Sequence, residues 1–469
     1  MRSLHKPLRV FVTAVALAAM ATAGAVPVSV PPVDEEVVAT WQAAYARAVI
    51  PGEQADMHRE LLAGLVKRIK RSHATDVDLA TLAATAAKVL ETIPPQTGDP
   101  ADVFRRSVNA ALRTLDPQSR YVDARTHANE RSEASGSFGG IGIEMEPGAR
   151  SLRIVSVVAN APAARAGIQA GDVIVRVDGN PVDGVPVQDT LEKLRGQPGT
   201  NVALTVHRSS TGSDHTFALT RDTIRRQILR TAMEGDVLVL KLSSFTGPVS
   251  ASIGTAIAEA AARNPRGIVL DLRGNPGGLF REAIRVADAF LAAGDIVSER
   301  SSNPDRNRTW SADADQLATG LPLVVLLDRG SASASELVAD ALQFHGRATV
   351  MGQQSYGKGS VQTTFWLGEG RGAVKLTTSL YHGPSGETVH RVGVTPDIEI
   401  TKPAPATPAR AATDRVDIPV LTPRTPHKAK ARIDPARCAP LKAGDAELSC
   451  ALDYLSAGSI EAFAAKAAH

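Results

Sequence analysis

The sequence predicts a multidomain α/β protein with a helical N-terminal region, a small β-rich module, an α/β core and an extended C-terminal tail. The chain has 469 residues, more than one hydrophobic core usually serves. The spacing of apolar residues also changes along the chain. It is helical at first, then typical of short strands, and finally typical of strands that alternate with helices.

Charge and composition exclude one broad class of function. The 52 basic and 49 acidic side chains nearly cancel, leaving a formal charge of +3. Such a balance predicts no strongly basic surface of the kind that binds nucleic acid, and aromatic residues for base stacking are scarce. We therefore expect no nucleic acid partner.

Residues 1–25 have the pattern of a signal peptide. Arg2, Lys6 and Arg9 precede an apolar run at 10–23, and small residues follow. We expect export to the periplasm. The alternative is an uncleaved segment that anchors the protein in the inner membrane, facing the periplasm.

Helical periodicity is clearest in the first region, residues 34–135. Leu61, Leu62, Leu65 and Ile69 recur at helical spacing, and two or three helices are expected between residue 34 and about residue 115. After residue 117 a polar stretch leads through Ser137 into glycine-rich sequence.

The β-rich module is expected over residues 138–222. Its predicted strands and its single helix are separated by Gly, Pro and Asn turns; the strands lie at 152–158, 173–177 and 202–207, and the helix at 187–194. A module of this size can fold independently.

The α/β core is expected over residues 232–400. Buried strands are predicted at 237–242, 267–272 and 323–327, with helices at 249–263, 280–291 and about 334–343.

Beyond the core, composition predicts a Pro-, Ala- and base-rich linker at 401–436 and a short helical tail at 437–469. Cys438 and Cys450 are the two cysteines of the chain, and export would allow a disulfide between them. Two free buried thiols are the alternative.

Ser333 lies at the junction between a buried strand and an amphipathic helix, within Gly-Ser-Ala-Ser-Ala-Ser-Glu. Such a junction exposes a side chain at the helix N-terminus. Ser333 and Glu336 also match a capping box, which would be enough to explain the serine by itself.

Lys358 makes a catalytic interpretation stronger. It stands between Gly357 and Gly359, 25 positions after Ser333. If burial or a neighbouring cation lowers its pKa, a neutral lysine amine can accept a serine proton. Gln362 lies four positions further on in an expected strand, where it could orient the amine; an exposed strand glutamine explains it equally well.

The glycine-rich turn at 273–278 is the candidate oxyanion site. It follows the buried strand, and its backbone amides could point at a developing negative charge. The expected donors are the amides of Gly278 and Ala334. Gly277 is a near-equal candidate, and a purely structural turn is the alternative.

Taken together, these motifs resemble the carboxyl-terminal processing peptidases, also called tail-specific proteases. The resemblance spans roughly residues 101–400 and is carried by six ordered segments: 115–121, 138–142, 242–245, 271–278, 331–336 and 357–362. The tail beyond Lys402 has no matching motif.

The resemblance implies a serine endopeptidase with a crotonase/ClpP-like core that works through an acyl-enzyme. In it, Ser333 would be the nucleophile, Lys358 the general base, Gln362 the residue that orients the lysine, and Glu336 a supporting carboxylate. No metal-binding motif is present, since the histidines lack the i, i+4 spacing with Glu and the cysteines are too few, and we expect no metal and no cofactor.

Residues 138–222 resemble a PDZ domain. The loop Gly140-Ile141-Gly142-Ile143 would capture a terminal carboxylate with its amides, while Ile141, Ile143, Leu191 and Leu194 would surround the last side chain. The expected partners are polypeptides with accessible C-termini. A generic β-rich domain with a glycine turn is the alternative, and peptide binding that moves the module to open the site is a further hypothesis.

Rival interpretations fit less well. Residues 352–358 match the first part of the phosphate-binding loop motif, but Gly359 stands where that motif requires Ser or Thr. No elbow motif ties His345, His382 or His390 to Ser333 in a Ser-His-Asp hydrolase.

The non-enzyme alternative is a catalytically idle scaffold that binds protein C-termini in the cell envelope. An adaptor protein is a candidate partner. Helical arms at 37–69 and 451–465 could also support a homodimer.

Overall fold

A computed structural model describes residues 35–147, 152–185, 187–225, 227–313, 315–401, 428–441 and 444–468. The predicted signal peptide at 1–25 and most of the predicted linker lie outside these ranges. Within them, no helix combines the length and the hydropathy needed to cross a membrane.

The N-terminal region contains four helices, where two or three were predicted: α1 Glu35–Ala48, α2 Glu53–Ser72, α3 Leu79–Glu91 and α4 Pro100–Arg113. Asp78 and Asp99 cap α3 and α4 by accepting hydrogen bonds from backbone amides of the first turn. The apolar faces of the four helices bury Trp41 and Phe104 in one cluster. The arm expected at 37–69 therefore packs within its own chain.

The polar stretch before the β-rich module contains a short strand, β1 Arg120–Val122, and a helix, α5 Ala124–Ala134. Both elements lie inside the region 34–135 that was predicted to be helical, although neither was predicted individually. No residue of α5 is buried, so the helix has no apolar periodicity that sequence could reveal. Asp123 caps it by accepting from the Thr126 amide.

The β-rich module is built from eight strands and two helices. In chain order these are β2 Ser137–Gly140, β3 Ile143–Pro147, β4 Leu152–Val157, α6 Pro162–Arg165, β5 Val173–Val177, β6 Asn180–Pro181, α7 Val187–Leu194, β7 Asn201–Arg208, β8 Ser213–Thr220 and β9 Asp222–Arg225. The main sheet has the order β3-β4-β5-β7-β8, so β3 lies at an edge, and β2 pairs separately with β9. The helix predicted at 187–194 is confirmed.

The core is organised around a seven-stranded sheet of order β10-β11-β12-β15-β16-β19-β20. All its neighbouring strands are parallel except β10 and β11. The strands are β10 Leu229–Glu234, β11 Val237–Leu242, β12 Gly267–Asp271, β15 Leu323–Leu327, β16 Thr349–Gly352, β19 Ile398–Ile400 and β20 Ala431–Ile433. Both faces of β12 and β15 are buried, as expected for parallel strands covered on both sides.

Helices α8 Val249–Ala261, α9 Phe280–Asp288 and α10 Ala334–Phe344 belong to one face of this sheet. A second, five-stranded sheet contains β1, β13 Asp295–Arg300, β14 Arg308–Ser311, β17 Ser360–Trp366 and β18 Ala373–His382. Strand β18 pairs with β17 along one edge and with β1 and β13 along the other. The predicted α/β core is confirmed.

The C-terminal tail is part of the core. Strand β20 pairs with β19, so the predicted linker ends before residue 431. Helices α11 Ala446–Ala457 and α12 Ile460–Ala468 cover the other face of the seven-stranded sheet, where Leu455 and Phe463 are buried. The arm expected at 451–465 thus also packs within its own chain. The structure contains the expected Cys438–Cys450 disulfide.

Candidate active site

Ser333 occupies a strained turn between β15 and α10. Its φ is 56° and its ψ is −112°, a conformation that a residue with a side chain rarely adopts. Its neighbours hold it there: Ser331 Oγ donates to Leu272 O at 2.8 Å, and Ser335 Oγ donates to Asn275 O at 2.9 Å. The Ser333 side chain is half-buried, which is typical of a functional residue exposed on a rigid turn.

Lys358 lies in the loop between β16 and β17 and is also half-buried. The flanking glycines permit close packing. A Cβ at Gly359 would lie 2.7 Å from Thr388 Oγ1, and one at Gly357 would lie 3.0 Å from the carbonyl carbon of Arg391. The lysine therefore sits in a loop that only glycine neighbours allow.

Glu336 joins the serine and lysine loops. One carboxylate oxygen accepts from the Ser333 amide at 2.7 Å and from the Lys358 amide at 2.8 Å. The other accepts from Ser355 Oγ at 2.5 Å and from the Gly357 amide at 2.6 Å. Because two of these amides share one oxygen, the backbones of Ser333 and Lys358 are adjacent despite their sequence separation. Burial raises the pKa of Glu336, and these four donors oppose the increase.

Tyr381 of β18 connects the same two segments from another side. Its hydroxyl lies 3.0 Å from the carbonyl oxygen of Ser333 and 3.0 Å from that of Lys358. The tyrosine is 2% exposed, so this contact is shielded from water. The candidate nucleophile and the candidate base are thus tied together through both their amides and their carbonyls.

The environment of Lys358 favours a neutral amine. Burial lowers the pKa of the Lys358 ammonium, the charges of Arg120 and Lys375 lower it further, and Glu336 acts in the opposite direction. Each change that lowers the pKa enlarges the fraction of lysine that can accept a proton near neutral pH. This is the property that a lysine general base needs.

The candidate oxyanion donors differ in availability. The Gly277 amide already donates to Asn275 Oδ1 at 2.9 Å. In the part of the chain that the structure describes, the amides of Gly278 and Ala334 donate no hydrogen bond. A Cβ at Gly277 would lie 2.9 Å from Ala334 N, so the glycine turn packs directly against the serine turn. Gly278 and Ala334 are therefore better candidates than Gly277.

The tail anchors the residue that begins this turn. Arg273 donates to Asp271 of β12, and from the tail Asp445 and Glu447 each accept from it at 2.7 to 2.8 Å. Burial alone would lower the pKa of Arg273, but these carboxylates outweigh it and raise the pKa. The tail thus fixes the start of the candidate oxyanion turn.

Among the described residues, Gln362 forms no hydrogen bond with Lys358. Its side-chain nitrogen donates to Ser360 Oγ at 2.9 Å and to Thr377 Oγ1 at 3.3 Å. The same-face argument for Gln362 and Lys358 also fails, because Lys358 precedes β17 and the register of β17 shifts between Val361 and Gln362.

Behind Gln362 lies a buried polar network. Thr377 Oγ1 donates to Asp116, which also accepts from Ser119 and lies 3.1 Å from His73 Nε2. Burial would raise the pKa of Asp116, but the bonds from His73, Ser119 and Thr377 outweigh it and lower the pKa. The network connects the N-terminal helices to the strands next to Lys358.

The candidate peptide site is partly as expected. The amides of Ile141 and Gly142 donate no hydrogen bond within the described ranges, and they follow directly on β2. Ile143 and Leu191 are half-buried and accessible. Ile141 and Leu194 are 2% and 4% exposed within the core of the module, so they do not line an open surface. Gly140 is buried at the end of β2.

Several residues of the site were missed from sequence. Tyr381 and Ser355 carry no local motif, and their partners are distant along the chain. Asp116 falls within one of the recognised segments, and its position before a proline was the available signal.

Comparison with known proteins supports the two central domains. The sequence model of peptidase family S41 matches residues 236–400, and that of the PDZ domain matches residues 153–208.

Two curated relatives share long stretches with this chain. A carboxy-terminal-processing protease of Bartonella bacilliformis is 41% identical over 311 residues, covering 66% of this chain and 71% of that protein. A probable CtpA-like serine protease of Staphylococcus saprophyticus subsp. saprophyticus is 34% identical over 300 residues, covering 64% of this chain and 60% of that protein.

Two solved structures are also similar. A photosystem II D1 C-terminal processing protease is 26% identical with a TM-score of 0.44, covering 78% of this chain and 93% of that one. The PDZ domain of a carboxy-terminal protease from Vibrio cholerae, solved with a peptide, is 30% identical with a TM-score of 0.18, covering 19% of this chain and 99% of that one.

Proposed function

Because this chain belongs to peptidase family S41, together with carboxy-terminal-processing proteases, we propose that it cleaves polypeptides with a Ser333–Lys358 dyad after binding their C-terminal tails. The serine peptidase class and the PDZ domain follow from the family. The dyad, the tail recognition and the export are the proposal.

One observation carries the dyad. The Glu336 carboxylate accepts hydrogen bonds from the amides of both Ser333 and Lys358, which brings a strained, half-buried serine next to a half-buried lysine. Burial raises the pKa of the Glu336 carboxyl. Backbone amides and Ser355 Oγ occupy both of its oxygens, so Glu336 acts as a positioning residue.

The reaction would proceed through an acyl-enzyme. The neutral Lys358 amine takes the Ser333 hydroxyl proton as Oγ attacks the peptide carbonyl carbon, and the amides of Gly278 and Ala334 donate to the resulting oxyanion. The lysine ammonium then protonates the leaving amine as the C–N bond breaks. A water molecule, deprotonated by the same lysine, hydrolyses the ester and restores Ser333.

The PDZ domain would supply tail recognition. Edge strand β3 can accept a peptide as an added strand, and the free amides of Ile141 and Gly142 can bind its terminal carboxylate. Ile143 and Leu191 are the accessible apolar side chains nearest this role. The same proposal includes two further steps. Tail binding moves the PDZ domain to open the site, and an adaptor protein delivers substrates.

We further propose a periplasmic location, with inner-membrane anchoring as the alternative. The support is the pattern of residues 1–25, which lie outside the described part of the chain. Cell fractionation, with and without these residues, tests this location independently of activity.

The decisive experiment compares the purified wild-type chain with Ser333→Ala and Lys358→Ala on an unstructured polypeptide. We expect cleavage by the wild type alone. A wild type as inert as both variants would contradict the dyad and favour an idle scaffold. Deleting residues 140–220 should change the preference for substrates with an accessible tail, and an unchanged preference would contradict tail recognition through the PDZ domain.

A further inference from the structure

A chain of side-chain hydrogen bonds leads from the N-terminal region to Gln362. Asp116 lies between α4 and β1, and its Oδ1 is 2.8 Å from Thr377 Oγ1 of β18. Thr377 Oγ1 is in turn 3.3 Å from the side-chain nitrogen of Gln362 on β17. Asp116 and Thr377 are both 0% exposed, so water does not compete for the hydrogen bond between them.

The direction of these hydrogen bonds is fixed at Asp116. Five donors point at its carboxylate: the amides of Gln118 and Ser119, the hydroxyls of Ser119 and Thr377, and His73 Nε2. Burial would raise the pKa of this carboxyl, but the donors outweigh it and lower the pKa, so the group is ionised and can only accept. The single hydroxyl proton of Thr377 therefore points to Asp116, and its oxygen has only lone pairs left for its other neighbour.

This direction determines which way the Gln362 amide faces. The amide has a donor end and an acceptor end, and a half-turn about its last bond exchanges the two. Only the NH₂ group can face an oxygen that has no proton to give, so Nε2 lies towards Thr377. Gln362 Oε1 is turned away from Thr377 and accepts no hydrogen bond from any described residue.

The Gln362 side chain also runs back along β17 towards Lys358. Its Nε2 donates at 2.9 Å to the hydroxyl of Ser360, which is the first residue of β17 and lies two positions after Lys358. The Ser360 hydroxyl can donate as well as accept, so this contact alone would allow either orientation of the amide. Thr377 is thus the contact that selects one of them.

We propose that Asp116, acting through Thr377, is a positioning residue that holds the Gln362 amide with its NH₂ group inwards and its Oε1 free as an acceptor for the reaction. This proposal rests on the proposed function, because it concerns the same dyad. The donor for Oε1 is the ammonium that Lys358 becomes when it takes the Ser333 proton. Asp116 and Thr377 do not touch the reacting atoms, so both act through Gln362.

The test is a double-mutant cycle on peptide cleavage by the full chain. Thr377→Val keeps the shape of the side chain but removes the acceptor that selects the orientation of the Gln362 amide. We expect kcat to fall roughly 10-fold with KM unchanged, because an interaction made only in the transition state is disturbed. In a Gln362→Ala background, which itself has a reduced kcat, the same substitution should change kcat by less than about 2-fold.

Two variants of the same strand provide the controls. Thr377→Ser keeps the hydroxyl and should retain most of the wild-type kcat. Thr378→Val makes the same chemical change one residue further along β18, on the opposite face, where the hydroxyl pairs with Thr363 Oγ1 at 2.7 Å. It should leave kcat unchanged.

Asp116→Ala removes the start of the chain and should lower kcat as Thr377→Val does, with no further loss when the two are combined. This variant leaves five donors without their acceptor, so circular dichroism has to show that it is folded. Thr377→Val leaves the other four donors in place and carries the test by itself if Asp116→Ala does not fold.

Equal losses of kcat from Thr377→Val in the wild-type and Gln362→Ala backgrounds would overturn the proposal, since the effect would then not pass through Gln362. An unchanged kcat in Gln362→Ala would overturn it as well, as would a loss in Thr378→Val as large as that in Thr377→Val. These results are distinguishable from failure of the proposed function. In that case the wild type itself would neither cleave peptides nor react with a fluorophosphonate at Ser333.

Discussion

Glu336→Gln tests the carboxylate that joins the two halves of the site. Glutamine has nearly the same size, but only one of its two terminal atoms accepts hydrogen bonds. In the native protein each carboxylate oxygen accepts from two donors. The substitution therefore leaves two of the four donors facing an NH₂ group.

The structure sets the size of the effect. Glu336 is 0% exposed, so water cannot replace the lost acceptor. Each buried donor without a partner costs about 1–3 kcal/mol, which gives a destabilisation of about 2–6 kcal/mol. Separation of the Ser333 and Lys358 backbones should also slow catalysis, since a displacement of about 1 Å can cost roughly 100-fold in rate.

Glu282→Gln is the matched control. Glu282 is 3% exposed and accepts from the Ser250 amide, Ser250 Oγ and Arg285, all away from the serine and lysine loops. Urea unfolding followed by circular dichroism should show both variants destabilised. Cleavage assays at a temperature where both remain folded should show a large loss of kcat for Glu336→Gln alone. Equal kcat values in the two folded variants would refute the positioning role.

Further predictions concern other parts of the molecule. Gly277→Ala would place a Cβ 2.8 Å from Ala332 O at a φ of 104°. Peptide cleavage should therefore fall at least 10-fold, while the affinity of the PDZ domain for a tail peptide should stay unchanged. Full activity would contradict the close packing of the two turns. Replacing Cys438 and Cys450 by serine should lower the unfolding free energy by about 3 kcal/mol, and reductant should destabilise only the wild type. Ile143→Asp should weaken binding of a C-terminal peptide at least 10-fold by calorimetry, whereas unaltered affinity would exclude Ile143 from the binding surface.

Stability should also depend on pH through His382. Burial and the nearby Arg300 lower its pKa to about 4, below the value near 6.5 of an unfolded chain. The unfolded state therefore binds the proton first as pH falls. The stability from this group is complete above about pH 6.5 and decreases by about 3 kcal/mol as the pH falls towards 4. Urea titrations of the wild type and His382→Gln across this range should differ in slope; parallel curves would contradict the assignment.

Sequence reasoning succeeded where a feature is local. The strands at 237–242 and 323–327 and the helix at 187–194 have the predicted bounds, because their apolar patterns lie within each element. It did not delimit α5 within the predicted helical region, because the residues of that helix are all at least partly exposed. It missed β20, which is too short to recognise and is defined by pairing with β19. The expectation that Gln362 shares a strand face with Lys358 was not met, because β17 begins after Lys358 and its register shifts between Val361 and Gln362.

The sequence by itself determined the family, the order of the domains along the chain, and the serine and lysine segments of the site, since each depends on residues close together in the chain. Tertiary structure alone decided which groups surround them. Hydrogen bonds join Glu336 to Lys358, Tyr381 to Ser333 and the tail to Arg273, and in each case the two partners are distant in sequence. Hydrogen bonds and charges act over a few ångströms, so their partners appear only once the chain has folded.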